Sequence, residues 1–160
     1  MRTPPTAEVV IDAPLAAVWA TMLDTAEYPG WNPFVVRAEC PRPAQVGDPI
    51  RLTVRWANGR TATSPERITV LDPPATGPDG TTRATLAYVY EGLPARLGLV
   101  RGTRWQRLEQ EAGGPTRYST VEEFRGPLVP LAGPGRVQEG FRRHAEALRA
   151  QVERGVRRTS

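Results

Sequence analysis

The segment that decides the fold is RVQEGFRRHAEALRAQVE, at residues 136–153. Its apolar side chains recur every three to four residues, which is the spacing of one helix face: Val137, Phe141, Ala145, Leu148 and Val152. Pairs of opposite charge four residues apart lie on the other face. The sequence therefore predicts a long terminal helix from about Arg136 to Glu153, with one apolar face to bury.

The residues before this helix show strand patterns. In residues 50–56 the apolar side chains Ile50, Leu52, Val54 and Trp56 alternate with polar ones, which indicates a strand with one buried face. Similar patterns predict strands at 6–12, 34–40, 66–71, 82–90, 104–111 and 116–125. The loop Gly113-Gly114-Pro115 predicts a hairpin between the last two.

Helical patterns follow the first strand. Pro14 lies where a helix can begin, and the run to Met22 has helical apolar spacing. Asp24 can cap a second short helix, which Pro29-Gly30 would end.

We expect an α+β fold in which a curved antiparallel sheet of about seven strands is covered by the terminal helix and encloses a cavity. One domain would span residues 6–153, with flexible termini at 1–5 and 154–160.

Composition excludes several classes of protein. The chain of 160 residues has no run of about 18 apolar residues, so we expect no membrane span. Asp12 and Pro14 interrupt the stretch that a signal peptide would need, and we expect a cytoplasmic protein. The single Cys40 and single His144 exclude an internal disulfide and the usual zinc sites, so no metal or cofactor is expected.

The charge is basic but does not point to nucleic acid. The 21 basic residues, all arginine, exceed the 17 acidic ones, for a net charge of +4. Acidic residues are interleaved with the arginines, and arginine in place of lysine is what a GC-rich genome would encode. We therefore expect no nucleic-acid partner, because the aromatic residues that could stack on bases are predicted to face inward.

Several short motifs along the chain resemble those of a known superfamily. They are VVIDAP at 9–14 before Val18-Trp19, YPGWNPF at 28–34, VGD at 46–48, EEFRG at 122–126 and GF at 140–141. In this order they resemble the SRPBCC superfamily, the helix-grip proteins that include START lipid-transfer domains, birch-pollen-allergen-like proteins and bacterial polyketide cyclases/dehydratases. The resemblance covers residues 6–153 and implies a helix-grip fold with a hydrophobic ligand cavity. It implies little about the reaction, since carriers, sensors and enzymes share this fold.

The chain departs from the superfamily at two positions. In many bacterial members we would expect a histidine near Arg104 and an asparagine near Ala145, and neither is present. Site chemistry that depends on those two groups cannot be carried over to this chain.

The candidate catalytic residues are Glu122 and Arg104. Phe124 is the apolar anchor of strand 116–125, so Tyr118 and Glu122 share its inward face. A carboxyl group in an apolar cavity would have a raised pKa and could act as a general acid or base. If the 113–115 loop joins neighbouring strands, Arg104 lies roughly opposite Glu122. The two could pair with each other or contact a ligand.

The candidate ligand-binding residues are mostly aromatic: Trp31, Trp56, Tyr88, Tyr90, Tyr118, Phe124, Phe141 and His144. Aromatic residues in a sheet can simply fill the core, or they can line a cavity and orient a polyaromatic or polyketone guest. His144 lies beside the apolar stripe of the last helix, as either a groove residue or a base.

Two functions remain open from the sequence. The first is a hydrophobic-ligand binding domain, such as a lipid carrier or sensor, and the second is a cofactor-free cyclase, aromatase or dehydratase of a polyketide-like substrate. The expected partner in both is a hydrophobic small molecule, and the protein would be a monomer or a homodimer.

Overall fold

A computed structural model describes residues 3–160. Its single sheet contains seven antiparallel strands in the order β1-β7-β6-β5-β4-β3-β2. The strands are β1 Thr6–Ile11, β2 Val35–Glu39, β3 Pro49–Arg55, β4 Thr61–Thr76, β5 Thr82–Tyr90, β6 Arg101–Gln110 and β7 Thr116–Arg125. The curled antiparallel sheet under a long terminal helix confirms the predicted helix-grip fold.

The described residues also form four α-helices: α1 Leu15–Leu23, α2 Tyr28–Trp31, α3 Leu93–Arg96 and α4 Pro134–Thr159. The long helix α4 packs mainly on β1 and α1. Its apolar stripe is buried, with Phe141 2% and Leu148 0% exposed. Amphipathic spacing therefore identified the face of α4 that covers the sheet. In the part of the chain that the structure describes, no helix is both long and apolar enough to cross a membrane.

Some boundaries differ from the sequence pattern. The helix α4 extends to Thr159, six residues beyond the predicted end at Glu153. The predicted second helix is a 3-10 turn at Thr25–Glu27 followed by α2, so Pro29-Gly30 lies within it and does not end it. A proline in the first turn lacks only an N–H that needs no helical partner.

Strand β4 is longer than the pattern predicts. Its register with β5 shifts between Asp72 and Ala75, so Pro73 and Pro74 fall in an irregular stretch where the ladder needs no donor. The strand therefore continues past residue 71, where the pattern predicts its end, and the turn lies at Gly77–Gly80, where the Gly77 N–H donates to the Thr81 carbonyl at 3.0 Å.

Candidate functional site

A cavity of about 480 Å³ lies between the sheet and α4. Val137 and Phe141 of α4 form one wall, and inward residues of β3 to β7 form the other. At one end the segments 92–100 and 126–133 meet, joined by the Leu128 N–H and the Leu99 carbonyl at 3.0 Å. Most of the wall is apolar: Phe34, Leu52, Val54, Trp56, Ala62, Pro94, Val100, Phe124, Leu128, Leu131, Ala132, Val137 and Phe141. The volume is typical of sites for small organic ligands.

Arg104 brings a buried positive charge to this cavity. Its side chain on β6 is 3% exposed, and the guanidinium lies 4.3 Å from the centre of the Phe141 ring. The Nε–H donates to the Thr120 hydroxyl at 3.0 Å and Nη1 donates to the Tyr88 hydroxyl at 3.1 Å, while Nη2 lies 3.5 Å from the Tyr118 hydroxyl. A guanidinium has five N–H groups, so two have no hydrogen-bond partner among residues 3–160.

The Tyr88 hydroxyl is a second donor in the cavity. It accepts hydrogen bonds from Arg104 and from the Gln106 side-chain amide at 3.3 Å. With its lone pairs engaged, its own O–H must point elsewhere, and no acceptor for it lies within the described part of the chain. Tyr88 and Arg104 therefore keep up to three donors that no residue in the range 3–160 uses.

Glu122 lies directly opposite Arg104 in the register of β6 and β7, as the hairpin predicts. Despite this register, the two side chains form no ion pair in the range 3–160, and Arg104 donates to hydroxyl groups instead. The Glu122 carboxyl lies over Gly102, where an added Cβ would stand 2.5 Å from Oε1. Burial, reinforced by the negative charge of Glu66 and opposed by Arg104, raises the pKa of Glu122 to about 8.

Glu66 is a second carboxyl group in the cavity wall, and sequence reasoning missed it. It lies on β4 opposite Tyr90, and its Oε1 accepts a hydrogen bond from the Ser64 hydroxyl at 2.6 Å. Burial raises the pKa of Glu66 to about 7, although Ser64 and Arg104 oppose the rise. The signal was present, because two-residue alternation from the buried Ile68 places Glu66 and Ser64 on the inner face.

The predicted ligand-binding residues divide into two groups. Trp56, Tyr88, Tyr90, Phe124 and Phe141 line the cavity. The structure places the other three, Trp31, Tyr118 and His144, outside its wall. Tyr118 is buried in the core, where it is 0% exposed, and its hydroxyl donates to Gln106 Oε1 at 2.8 Å. Tyr118 thereby links Gln106 to the Arg104 guanidinium, which lies 3.5 Å from the same hydroxyl.

His144 belongs to a separate buried cluster. Its Nδ1 lies 2.9 Å from Asn32 Nδ2, and its ring stacks on Tyr118 with centroids 6.1 Å apart. Asn32 Oδ1 accepts the backbone N–H groups of Phe34 and Val35, so Nδ2 must be the donor to His144. Burial, together with the Arg104 charge, holds the pKa of His144 well below its ordinary value. The imidazole is thus a neutral structural group between α4 and the turn before β2.

Comparison with solved structures supports the same architecture. The chain is similar to the Zhui aromatase/cyclase from Streptomyces sp. R1128, with a TM-score of 0.67 and 22% identity over 97% of this chain and 96% of that one. It is also similar to the di-domain ARO/CYC BexL from the BE-7585A biosynthetic pathway (TM-score 0.58, 18% identity, 93% of this chain). It spans about half of that protein, 48% of its length. Ara h 8.0201 gives a TM-score of 0.56 at 18% identity, over 92% of this chain and 95% of the other.

Because these sequence identities are all below 25%, the similarity to these structures shows a shared fold alone. No curated protein sequence matches the chain. The family model described as "Polyketide cyclase / dehydrase and lipid transport" matches residues 5–153, which include every strand and most of α4. The chain therefore belongs to the polyketide cyclase/dehydrase and lipid transport family, within the SRPBCC superfamily.

Proposed function

We propose that the cavity binds an aromatic or polyketide-like small molecule and catalyses its cyclisation and dehydration. One observation carries this proposal: the polar groups of a largely apolar cavity are gathered around Arg104 and keep unused donors. A site built only to hold a hydrocarbon chain would have no reason to desolvate a guanidinium.

Arg104 and Tyr88 would act on the ligand's carbonyl group. Their unpartnered N–H and O–H groups can donate to a keto oxygen, and they stabilise it further when that oxygen becomes an enolate. Because the guanidinium is held by Thr120, Tyr88 and Tyr118, its donors keep their orientation during the reaction. The dry, shaped cavity adds proximity to this electrostatic effect.

Glu122 would move a proton in the same reaction. With a pKa of about 8, the carboxyl group is mostly protonated at pH 7 and can donate a proton to a departing hydroxyl group. Aldol condensation followed by loss of water needs a positioned acid and base and no cofactor.

A carrier of lipids or other hydrophobic ligands is the second candidate. The observation in its favour is the apolar rim, where Leu131 is 74% and Leu128 36% exposed beside the cavity. A carrier would hold a ligand without turning it over, and Arg104 and Glu122 would serve only to orient it.

Two measurements test the proposal. Native mass spectrometry of the purified protein should reveal a bound polyketide-like or aromatic metabolite, whereas a fatty acid or phospholipid would favour the carrier.

Dehydration of 4-hydroxy-4-phenylbutan-2-one to the conjugated enone can be followed by absorbance, and Glu122→Gln should slow it by about 100-fold or more. The matched control is Glu123→Gln, the next residue on the exposed face of β7. Equal dehydration by both variants would contradict the assignment of Glu122.

A further inference from the structure

The two carboxylic residues of the cavity lie on strands to either side of β6, the strand that carries Arg104: Glu122 on β7 and Glu66 on β4. In the strand register, Arg104 on β6 faces Tyr88 on β5 and Glu122 on β7. Glu66 lies beyond β5, on β4, next to the row that contains Tyr88 and Arg104. Neighbouring strands are about 4.8 Å apart, so Glu66 and Glu122 are separated by roughly 14 Å across the sheet, with a further offset of two residues along the strands. A ligand carbonyl held by Arg104 would therefore lie between the strand that carries Glu66 and the strand that carries Glu122.

The surroundings of the two carboxyl groups differ. Glu66 accepts the Ser64 hydroxyl, and a hydrogen bond of this kind favours the ionised form. The Glu122 carboxyl accepts no side-chain hydrogen bond within residues 3–160. The charged and titratable groups that act on Glu66 are Arg104, Glu91 and Glu122, with Tyr90 opposite it in the register and only apolar side chains from α4. This asymmetry sets Glu66 to lose its proton before Glu122.

We propose that Glu66 is the catalytic base of this cavity and Glu122 its acid, the two acting on either side of the carbonyl group that Arg104 holds. This inference rests on the proposed function, and it assigns to each carboxyl group one half of the proton transfer. Two titratable groups kept in different protonation states by their surroundings are a common arrangement for acid–base chemistry.

The dehydration step balances with these two groups alone. The Glu66 carboxylate removes the proton from the carbon next to the carbonyl group, and the electron pair of that C–H bond forms the enolate that Arg104 stabilises. The enolate then forms the new C=C bond as the C–O bond to the neighbouring carbon breaks. Glu122 gives its proton to the departing hydroxyl, which leaves as water. Protonated Glu66 and ionised Glu122 return to their starting states by proton exchange with solvent.

Base action can be measured without acid action by proton exchange of a simple ketone. In D₂O, exchange of the α-protons of 1-tetralone requires proton removal and an enolate but no departing group, and ¹H NMR follows it directly. The wild-type protein should accelerate this exchange, and Glu66→Gln should lose about 100-fold of the acceleration. The exposed control Glu123→Gln should stay within about threefold of wild type.

The outcomes separate this inference from the proposed function. If Glu66→Gln exchanges the ketone protons as fast as wild type, or if wild type accelerates no exchange, Glu66 is not the base. In either case, loss of dehydration in Glu122→Gln would leave the proposed function standing. Glu66→Asp keeps the carboxyl group but moves it back by one methylene. If a folded Glu66→Asp protein recovers part of the exchange, the result would support base action by Glu66. Complete loss of exchange in both Glu66→Gln and Glu66→Asp would also support it, provided that circular dichroism shows both variants to be folded.

Discussion

The Oε1 atom of Glu122 occupies the space that a side chain on Gly102 would need, 2.5 Å from the position of an added Cβ. Gly102 lies on β6, beside Phe124 of β7 in the register, and its missing side chain gives the carboxyl group its place at the cavity wall. Glu122 and the glycine of the neighbouring strand thus form one structural unit.

Gly102→Ala should therefore displace the Glu122 carboxyl group and slow dehydration of 4-hydroxy-4-phenylbutan-2-one by about 10-fold or more, because a misplaced acid loses most of its effect. The expected change is in kcat more than in KM. Gly30→Ala is the control, since an added Cβ there meets nothing within 4 Å. If Gly102→Ala and Gly30→Ala have the same kcat, the carboxyl group does not depend on this space.

The raised carboxyl pKa values predict how stability depends on pH. Glu66 and Glu122 titrate at about 7 and about 8 in the folded protein but near 4.5 when unfolded. Between those values the folded state binds more protons, so the free energy of unfolding should fall as the pH rises from about 4.5 to about 8. Each of Glu66→Gln and Glu122→Gln should reduce this fall by at least about 1.4 kcal/mol, the equivalent of one pKa unit. Urea unfolding at several pH values measures it, and an unchanged slope in both variants would contradict the assignment.

The same two groups predict a bell-shaped pH dependence of dehydration. In the proposed mechanism the active form has Glu66 ionised and Glu122 protonated, and this form is most abundant between about pH 7 and about pH 8. The rate should fall below pH 7 as Glu66 gains a proton and above pH 8 as Glu122 loses one. Steady-state rates in buffers of constant ionic strength test this, and a profile that rises steadily to pH 10 would exclude Glu122 as the acid.

The sequence predicted the fold well because periodicity reports which face of an element is buried. The apolar repeat of Phe141, Ala145 and Leu148 identified the face of α4, and alternation about Phe124 placed Glu122 on the inner side of β7. The Gly113-Gly114-Pro115 turn set the register that brings Arg104 opposite Glu122. Each of these inferences depended only on residues that are close to one another in the sequence.

The site was less predictable because it depends on contacts between distant strands. The hydroxyl groups that hold Arg104 come from β5 and β7, and no local pattern shows that they replace a carboxylate partner. Alternation from Ile68 places Glu66 on the inner face of β4, but only the pairing of β4 with β5 brings it into the same cavity wall as Tyr88. The position of His144 beside the apolar stripe predicts a ligand contact, whereas its ring turns toward Asn32, 112 residues away in the chain.

Asn32 should be important for stability because one side chain satisfies three buried groups. Asn32→Ala would leave the N–H groups of Phe34 and Val35 and the Nδ1 of His144 without their partner. Buried groups left in this way cost about 1–3 kcal/mol each, so we expect a loss of at least about 2 kcal/mol in urea unfolding. The control is Asn58→Ala, whose Oδ1 accepts the Arg60 N–H in an exposed turn, and which should cost under about 1 kcal/mol. If Asn32→Ala and Asn58→Ala lowered the free energy of unfolding equally, the buried hydrogen bonds of Asn32 would contribute no more than those of an exposed turn.

Gly140 controls the shape of the cavity from the helix side. The ring of Phe34 lies against Gly140 where a Cβ would stand, and Phe34 itself forms part of the cavity wall. Gly140→Ala must therefore push this ring away from α4. The expected result is a narrower cavity that binds 1-tetralone at least about 10-fold more weakly by calorimetric titration, together with a loss of about 1–3 kcal/mol from overpacking.

Gly155→Ala is the matched control for this change, because it lies on the same helix with nothing within 4 Å of an added Cβ. Alanine is favoured over glycine within a helix, so Gly155→Ala should gain about 0.5–1 kcal/mol in stability and leave the affinity for 1-tetralone unchanged. If Gly140→Ala also gained stability and kept its affinity, the ring of Phe34 would have room to move without narrowing the cavity. The contrast between these two glycines separates the effect of cavity shape from that of helix propensity.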